Sequence, residues 1–348
     1  MNPCETGISH KARKDRAARM MQRPLTNERP EPRRHDRNDQ PAEDPNATFL
    51  SMPTEEREGG MNLTVHGKTD TGLVRKGNED AFVVTDLSSG SAIDGPLARV
   101  AVGPKGVLLA VSDGMGGRQA GEVASALVLE TLVRSMANEG AGDPANAPHT
   151  LMEAAVSDAN REVWKAAKEP GQERMGATLT AVLVEGTSVH IAEVGDSRAY
   201  LLRGGTLVQL TSDQSYVQAL VDAGVMTAEE AKNAPMKNII LQAMGQKKGV
   251  SVALSKLSLR QRDCILLCSD GLTNKVSPDE MTQIILSSPT MAVACDRLVD
   301  LANAKGGEDN ITVVMGGVSG GDLLPLIPGE DPASTVEILK SFSAPVMH

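Results

Sequence analysis

Between residues 61 and 318 short apolar runs alternate with glycine-bearing turns. Runs with a period of two, or wholly apolar runs bounded by turn residues, predict strands over 63–69, 80–85, 98–102, 106–112, 177–185, 188–194, 198–203, 206–210, 250–257, 263–269 and 310–316. Two stretches change to a period of 3.6. One helix is predicted over 118–137, with Val123, Leu127 and Val133 on one face, and another over 149–168, with Met152, Val156, Val163 and Ala167. Later helices are expected near 278–287 and 291–304. Turns such as Glu185-Gly-Thr187 and Arg203-Gly-Gly205 read as hairpins. Strands joined through hairpins, with helices inserted in pairs, predict an α+β fold of antiparallel sheets packed by helices, not a doubly wound parallel sheet. Residues 213–245 form an insert of helical character, in which the capping box Thr227-Ala-Glu-Glu230 starts a helix that Asn233-Ala-Pro235 stops.

The pattern fails at both ends. Residues 1–60 show no apolar periodicity, and residues 11–37 carry ten Lys/Arg against four acids, which predicts a disordered basic and polar extension. Met61 opens the first strand, so it stands as an alternative start of the protein. Residues 319–348, with Pro-Leu-Ile-Pro-Gly-Glu-Asp-Pro at 325–332, are expected to form a loosely ordered tail. The folded domain is thus placed at 61–318.

Composition narrows the chemistry. Only 2% of the 348 residues are aromatic, so Val, Leu, Ile, Ala and the 16 Met must fill the core. A formal charge of −10 argues against nucleic acid as a partner, which needs a cationic surface. No apolar run approaches the ~18 residues of a membrane span. Cys264 and Cys268 sit in one predicted strand, roughly 13 Å apart at strand rise, so they cannot bond to each other. Reduced cysteines imply a cytoplasmic setting.

Four acidic motifs stand at the edges of predicted strands: Arg-Lys-Gly-Asn-Glu-Asp-Ala at 75–81, Ser-Asp-Gly-Met-Gly-Gly at 112–117, Cys-Ser-Asp-Gly-Leu at 268–272 and Gly-Gly-Glu-Asp-Asn-Ile-Thr at 306–312. One Asp-Gly after an apolar run is ordinarily a turn. Four such motifs, two of them Ser-Asp-Gly, ask for another cause, because buried carboxylates at converging strand ends repel unless cations lie between them. Oxygen ligands without a His or Cys cluster favour Mg²⁺ or Mn²⁺ over zinc. Arg75, five residues before Asp80, suits a bidentate phosphate clamp. Other readings fit less well. A dinucleotide fingerprint would need glycine where Gln119 stands, and Ser197 lacks a nucleophile elbow.

Taken in order, "GLVRKGNEDA", "VSDGMGG", "GATLTAVLV", "AEVGDSRAYLLR", "LTSDQS", "LQAMG", "LLCSDGL" and "GGEDNITVV" resemble the metal-dependent protein phosphatases of the PPM (type 2C) family, in the bacterial branch that counteracts Ser/Thr kinases. The resemblance covers about residues 63–317. It implies a four-layer αββα sandwich with the metals at one edge and residues 213–245 as the flap. Carried over by position, Asp113 would bridge two Mn²⁺ or Mg²⁺ ions, and Gly114 would offer one of them its carbonyl. Asp270 and Asp309 would complete the first ion's shell; Asp80 and Glu79 would hold the second directly or through water. Asp196, with Asp270, resembles the site of a weaker third ion, and Arg75 the phosphate-binding arginine. Two departures are visible: Met115 replaces the histidine that eukaryotic members carry after Asp-Gly, which leaves the general acid unassigned, and Gln214 replaces the usual histidine beside the flap.

The expected activity is hydrolysis of phosphoserine and phosphothreonine proteins by direct attack of water activated between two ions, with no covalent intermediate. The expected partners are phosphoproteins and a cognate Ser/Thr kinase, with no nucleic acid and no membrane, and the protein is expected to be a monomer. A different class of function, a catalytically dead phosphoprotein-binding module, is opposed by the intact acids at 80, 113, 270 and 309.

Overall fold

The computed structural model describes residues 60–93, 98–117, 120–138, 147–172 and 174–344. The expected extension over 1–60 lies outside these residues except for Gly60. Along the chain come β1 (Asn62–Asp70), β2 (Asp80–Asp86), β3 (Ser91–Ala92), β4 (Ala98–Ala101) and β5 (Val107–Met115). Two long helices follow, α1 (Ala120–Asn138) and α2 (Pro148–Ala166). Then come β6 (Gly176–Ala177), β7 (Leu179–Glu185), β8 (Ser188–Val194), β9 (Arg198–Arg203) and β10 (Thr206–Gln209). The flap carries α3 (Tyr216–Asp222) and α4 (Ala228–Lys232) and leads to β11 (Ala253–Ser258) and β12 (Cys264–Cys268). The chain finishes with α5 (Asp270–Thr273), α6 (Pro278–Leu286), α7 (Met291–Ala304), β13 (Ile311–Ser319) and β14 (Glu337–Lys340).

The strands form two antiparallel sheets. One runs β10-β9-β12-β13-β1-β4; the other runs β14-β11-β8-β7-β5-β2-β3, with β6 added beside β5. Why the central strands are apolar at nearly every position follows from what each face covers. In β5, Leu108 and Ala110 point to a core shared with α1 and α2. Val107, Leu109 and Val111 point the other way, into the space between the sheets, where Ile265 and Leu267 of β12 and Val314 of β13 meet them. The alternate residues of β12, Cys264, Leu266 and Cys268, pack on α6 and α7. Three apolar layers between four structural ones make the αββα sandwich.

Three expectations change. The predicted strand over 106–112 continues to Met115, because β6 pairs with Gly114 and Met115 beyond the predicted end. In α1 the most deeply buried stripe is Ala124, Val128, Leu132 and Met136; Val123, Leu127 and Val133 are only half-buried at its margins. The helix rests on both α2 and the sheet, so the most apolar residues do not mark its centre line. Finally, residues 319–344 are not a loose tail but a strap. Glu330 accepts hydrogen bonds from Nε and Nη2 of Arg260 at 2.7 and 2.6 Å, and β14 adds an edge strand to β11. Lys340 pairs with Glu153 on α2.

Candidate functional site

The eight residues singled out in the sequence come from both sheets. Asp80 opens β2 and sits directly opposite Asp113 in the β2–β5 ladder. Asp270 begins α5 immediately after β12, and Asp309 lies two residues before β13. The two groups face each other across the sandwich. Oδ2 of Asp80, in the eight-stranded sheet, accepts hydrogen bonds from the hydroxyls of Ser269 and Thr312, in the other, each at 2.7 Å. Asn274 donates to Oδ2 of Asp270 at 3.0 Å.

Close backbone contact brings the acids together. Gly114 N–H donates to the Glu79 carbonyl at 3.1 Å, a bond that lies beside the Asp80–Asp113 pair. A Cβ at Gly114 would collide with the Gly121 carbonyl of α1, and one at Gly271 with the Asn310 carbonyl. Asn310 organises the loop on the far side: its Oδ1 accepts from the Glu79 N–H at 2.8 Å, and its Nδ2 donates to the carbonyls of Thr71 and Gly77, both at 2.9 Å. The 75–81 motif is thereby tied to the 306–312 motif.

Burial and mutual repulsion dominate the electrostatics of the site. Burial, with a smaller push from Asp270 and Asp309, raises Asp80 to about 7, although its two hydroxyl donors pull against the shift. Asp113 is raised well above the ordinary carboxylate range by burial and then by Asp80, Asp270, Asp196 and Asp309. Burial takes Asp270 to about 6, with Asp309 adding to the rise. Asp196, in the turn between β8 and β9, reaches about 8 through burial and its repulsion from Asp270. Glu79 is also raised, by burial first. Arg75 touches the cluster directly: its Nη2 donates to Oδ2 of Asp309 at 2.7 Å, and its guanidinium feels Glu79 and Asp113 as well.

Divalent cations fit this donor set. Oδ1 of Asp80 and Oδ1 of Asp270 are buried without hydrogen-bond partners, which is costly for a carboxylate unless something positive is bound there. Among the described residues, no three His, Cys, Asp or Glu side chains stand as a finished metal cage. Asp309 turns to Arg75, and Asp80 commits one oxygen to Ser269 and Thr312, so the acids are gathered without being closed on a common point.

A family model described as protein phosphatase 2C matches residues 88–304. The chain belongs to the protein phosphatase 2C family. It is 40% identical over 257 residues to the serine/threonine protein phosphatase PstP of Mycobacterium tuberculosis, a match covering 74% of this chain and 45% of that relative. It thus spans under half the length of PstP. With the serine/threonine phosphatase stp of Listeria monocytogenes it shares 37% identity over 249 residues, 71% of this chain and 93% of the relative. The crystal structure of the PstP catalytic domain in complex with two manganese ions superposes with a TM-score of 0.62 at 37% identity, covering 74% of this chain and 99% of that one. The protein phosphatase 2C architecture accounts for the two antiparallel sheets and their helical layers.

Several residues that shape the site were not singled out in the sequence. Ser269 and Thr312 hold Asp80, Thr178 takes the Asp113 N–H on its hydroxyl at 2.9 Å, and Asn310 links the two loops. Ser269, Thr312 and Asn310 belong to the acidic motifs, whose pattern points to the carboxylates alone. The signal available was hydroxyl and amide donors adjacent to each acid. At Met115, where the eukaryotic histidine is absent, the sulfur faces Nε2 of Gln246 at 3.3 Å.

Proposed function

We propose that this chain is a metal-dependent protein serine/threonine phosphatase that hydrolyses phosphoserine and phosphothreonine esters by direct attack of water. The observation that carries this reading is the set of buried carboxylates, Asp80, Asp113 and Asp270, which repel one another and leave two oxygens unpaired. In this assignment Asp113, Asp80, Asp270 and Asp309 hold two Mn²⁺ or Mg²⁺ ions with the Gly114 carbonyl, and Glu79 assists directly or through water. Asp196, with Asp270, holds a weaker third ion. Bound there, the ions supply Lewis acidity toward water and toward the phosphoryl oxygens. The relative solved with two manganese ions supports the choice of metal.

The chain's own groups do the rest. Arg75 is half-exposed and reaches the cluster's rim, so its planar fork can leave Asp309 and clamp two phosphoryl oxygens. Asp80 is oriented by its two hydroxyl donors, and Asp270 by Asn274. The side chains that might compete with water as nucleophile are poorly placed for it. Cys264 and Cys268 are buried and pushed up to about 12, far from a reactive thiolate. The Ser197 hydroxyl is buried and hydrogen-bonded to Thr178 at 2.8 Å. We further propose phosphoproteins as substrates, a Ser/Thr kinase as the opposing activity, a monomeric state and a cytoplasmic location. The names of the bacterial relatives support the first two, and the three buried free cysteines support the last. No helix among the described residues is long and apolar enough to cross a membrane.

The deciding experiment is hydrolysis of a phosphothreonine peptide by the full chain with Mn²⁺, Mg²⁺ or EDTA. Turnover with either ion and none with EDTA is expected. Metal-independent turnover, or none under any condition, would sink the proposal.

A further inference from the structure

A cavity of about 470 Å³ lies among the flap, the β8–β11 end of the eight-stranded sheet and the C-terminal strap, and none of the clustered acids lines it. Ile191, Leu210, Leu241, Leu254 and Phe342 give it apolar walls. Into this setting the sequence puts Glu193, which is 3% exposed. Its Oε2 accepts the Ser212 N–H at 3.1 Å, while Oε1 is buried with no hydrogen-bond partner. A carboxylate oxygen left so is costly unless a donor completes it.

The other charged groups on the walls do not complete it. Lys340 is paired with Glu153, and Asp213 is held by Arg198 through two bonds of 2.7 and 2.6 Å. Asp222 accepts from Nε2 of Gln218 at 2.8 Å. With its one lysine already engaged, the cavity has an acid with one unpaired oxygen on a wall of mixed polar and apolar side chains. We propose that it binds a small primary amine with an apolar body, the ammonium on Oε1 of Glu193 and the hydrocarbon between β11 and the strap. The Glu193 carbonyl also accepts from Nε2 of Gln214, and Oε1 of Gln214 takes the Gly195 N–H, so a bound amine sits beside the link between β8 and the start of the flap.

Calorimetric titration and thermal-shift measurements on the full chain with hexylamine, hexan-1-ol and hexanoate test this without reference to phosphatase activity. Hexylamine is expected to bind one saturable site and raise Tm, with the alcohol and the acid weaker by about tenfold or more. Glu193→Gln keeps the shape of the site and is expected to erase the preference for the amine. Ala253→Phe fills the cavity and is expected to remove binding of all three. Equal affinity for hexylamine and hexan-1-ol in the unmodified chain would overturn the proposal, as would hexylamine binding that survives unchanged in Ala253→Phe. Because those two results suffice, a Glu193→Gln protein that failed to fold would not protect the idea.

Discussion

Ser112-Asp113-Gly114 and Ser269-Asp270-Gly271 are one tripeptide in two backbones. The first lies inside β5, where Met115 still pairs with β6; the second leaves β12 and opens the short helix α5. Their serines differ accordingly. Ser112 Oγ donates to the Thr178 carbonyl at 2.7 Å, binding β5 to its neighbour. Ser269 occupies the N-cap of α5 yet caps nothing with its side chain, since its hydroxyl donates to Asp80 and accepts the Thr312 N–H at 3.0 Å. Each glycine admits a carbonyl from another segment where a Cβ would not fit. The comparison teaches that the site is built by bringing one carboxylate from each sheet face to face, and that the same three residues can do this from a strand or from a helix start.

The sharpest way to break the pairing is to remove one carboxylate at a time. Asp113→Ala and Asp270→Asn are each expected to lower Mn²⁺-dependent hydrolysis of p-nitrophenyl phosphate by about 10²–10³-fold while leaving the circular dichroism spectrum unchanged. Full activity in either protein would refute its assignment. Next in size are the glycines. Gly114→Ala and Gly271→Ala force backbone away from backbone, and each is expected to cost roughly 1–3 kcal/mol in urea unfolding. If Gly271→Ala were neutral, the close approach of α5 to Asn310 would not be needed to form the site.

The serines separate the tripeptides further. Ser269→Ala strips Asp80 of one of its two donors, and the loss of such a supporting hydrogen bond is expected to raise the Mn²⁺ concentration for half-maximal activity by about tenfold. Ser112→Ala touches no carboxylate and is expected to lower stability by ~1 kcal/mol with the metal requirement unchanged. Equal metal requirements in the two variants would remove the distinction between them.

The strand pattern and hairpin turns were legible because apolar periodicity and glycine placement act locally. So were the acids, because carboxylates at strand ends are costly wherever they occur. What could not be read was long-range. The order of strands within each sheet, and the meeting of Asp80 with Ser269 across the sandwich, depend on contacts 189 residues apart in the chain. The strap was missed for a similar reason: Glu330 looks like an ordinary surface acid until Arg260, 70 residues earlier, is seen to hold it. In α1 the most buried stripe was misplaced because a helix packed against both a sheet and a helix hides two faces.

The pH dependence of stability reads the two tripeptides most directly against each other. In the metal-free protein the folded-state carboxylates are raised from an ordinary value near 3.8, Asp270 to about 6, Asp80 to about 7 and Asp113 well above the ordinary range. A raised acid makes the folded state bind more protons than the unfolded state between those values, so stability falls as pH rises through that window. The protein without metal is therefore expected to have a clearly lower Tm at about pH 8 than at about pH 5. Mn²⁺ competes with the protons and should reverse the slope. Asp113→Asn should flatten the metal-free slope more than Asp270→Asn, because Asp113 is repelled by Asp80, Asp270, Asp196 and Asp309 together, whereas Asp270 has a donor in Asn274. Melting curves of both variants across that range, with EDTA and with Mn²⁺, measure the difference. A metal-free protein whose stability rises over that same range would mean that the acids do not share one buried field, and the facing of the two tripeptides would lose its physical basis.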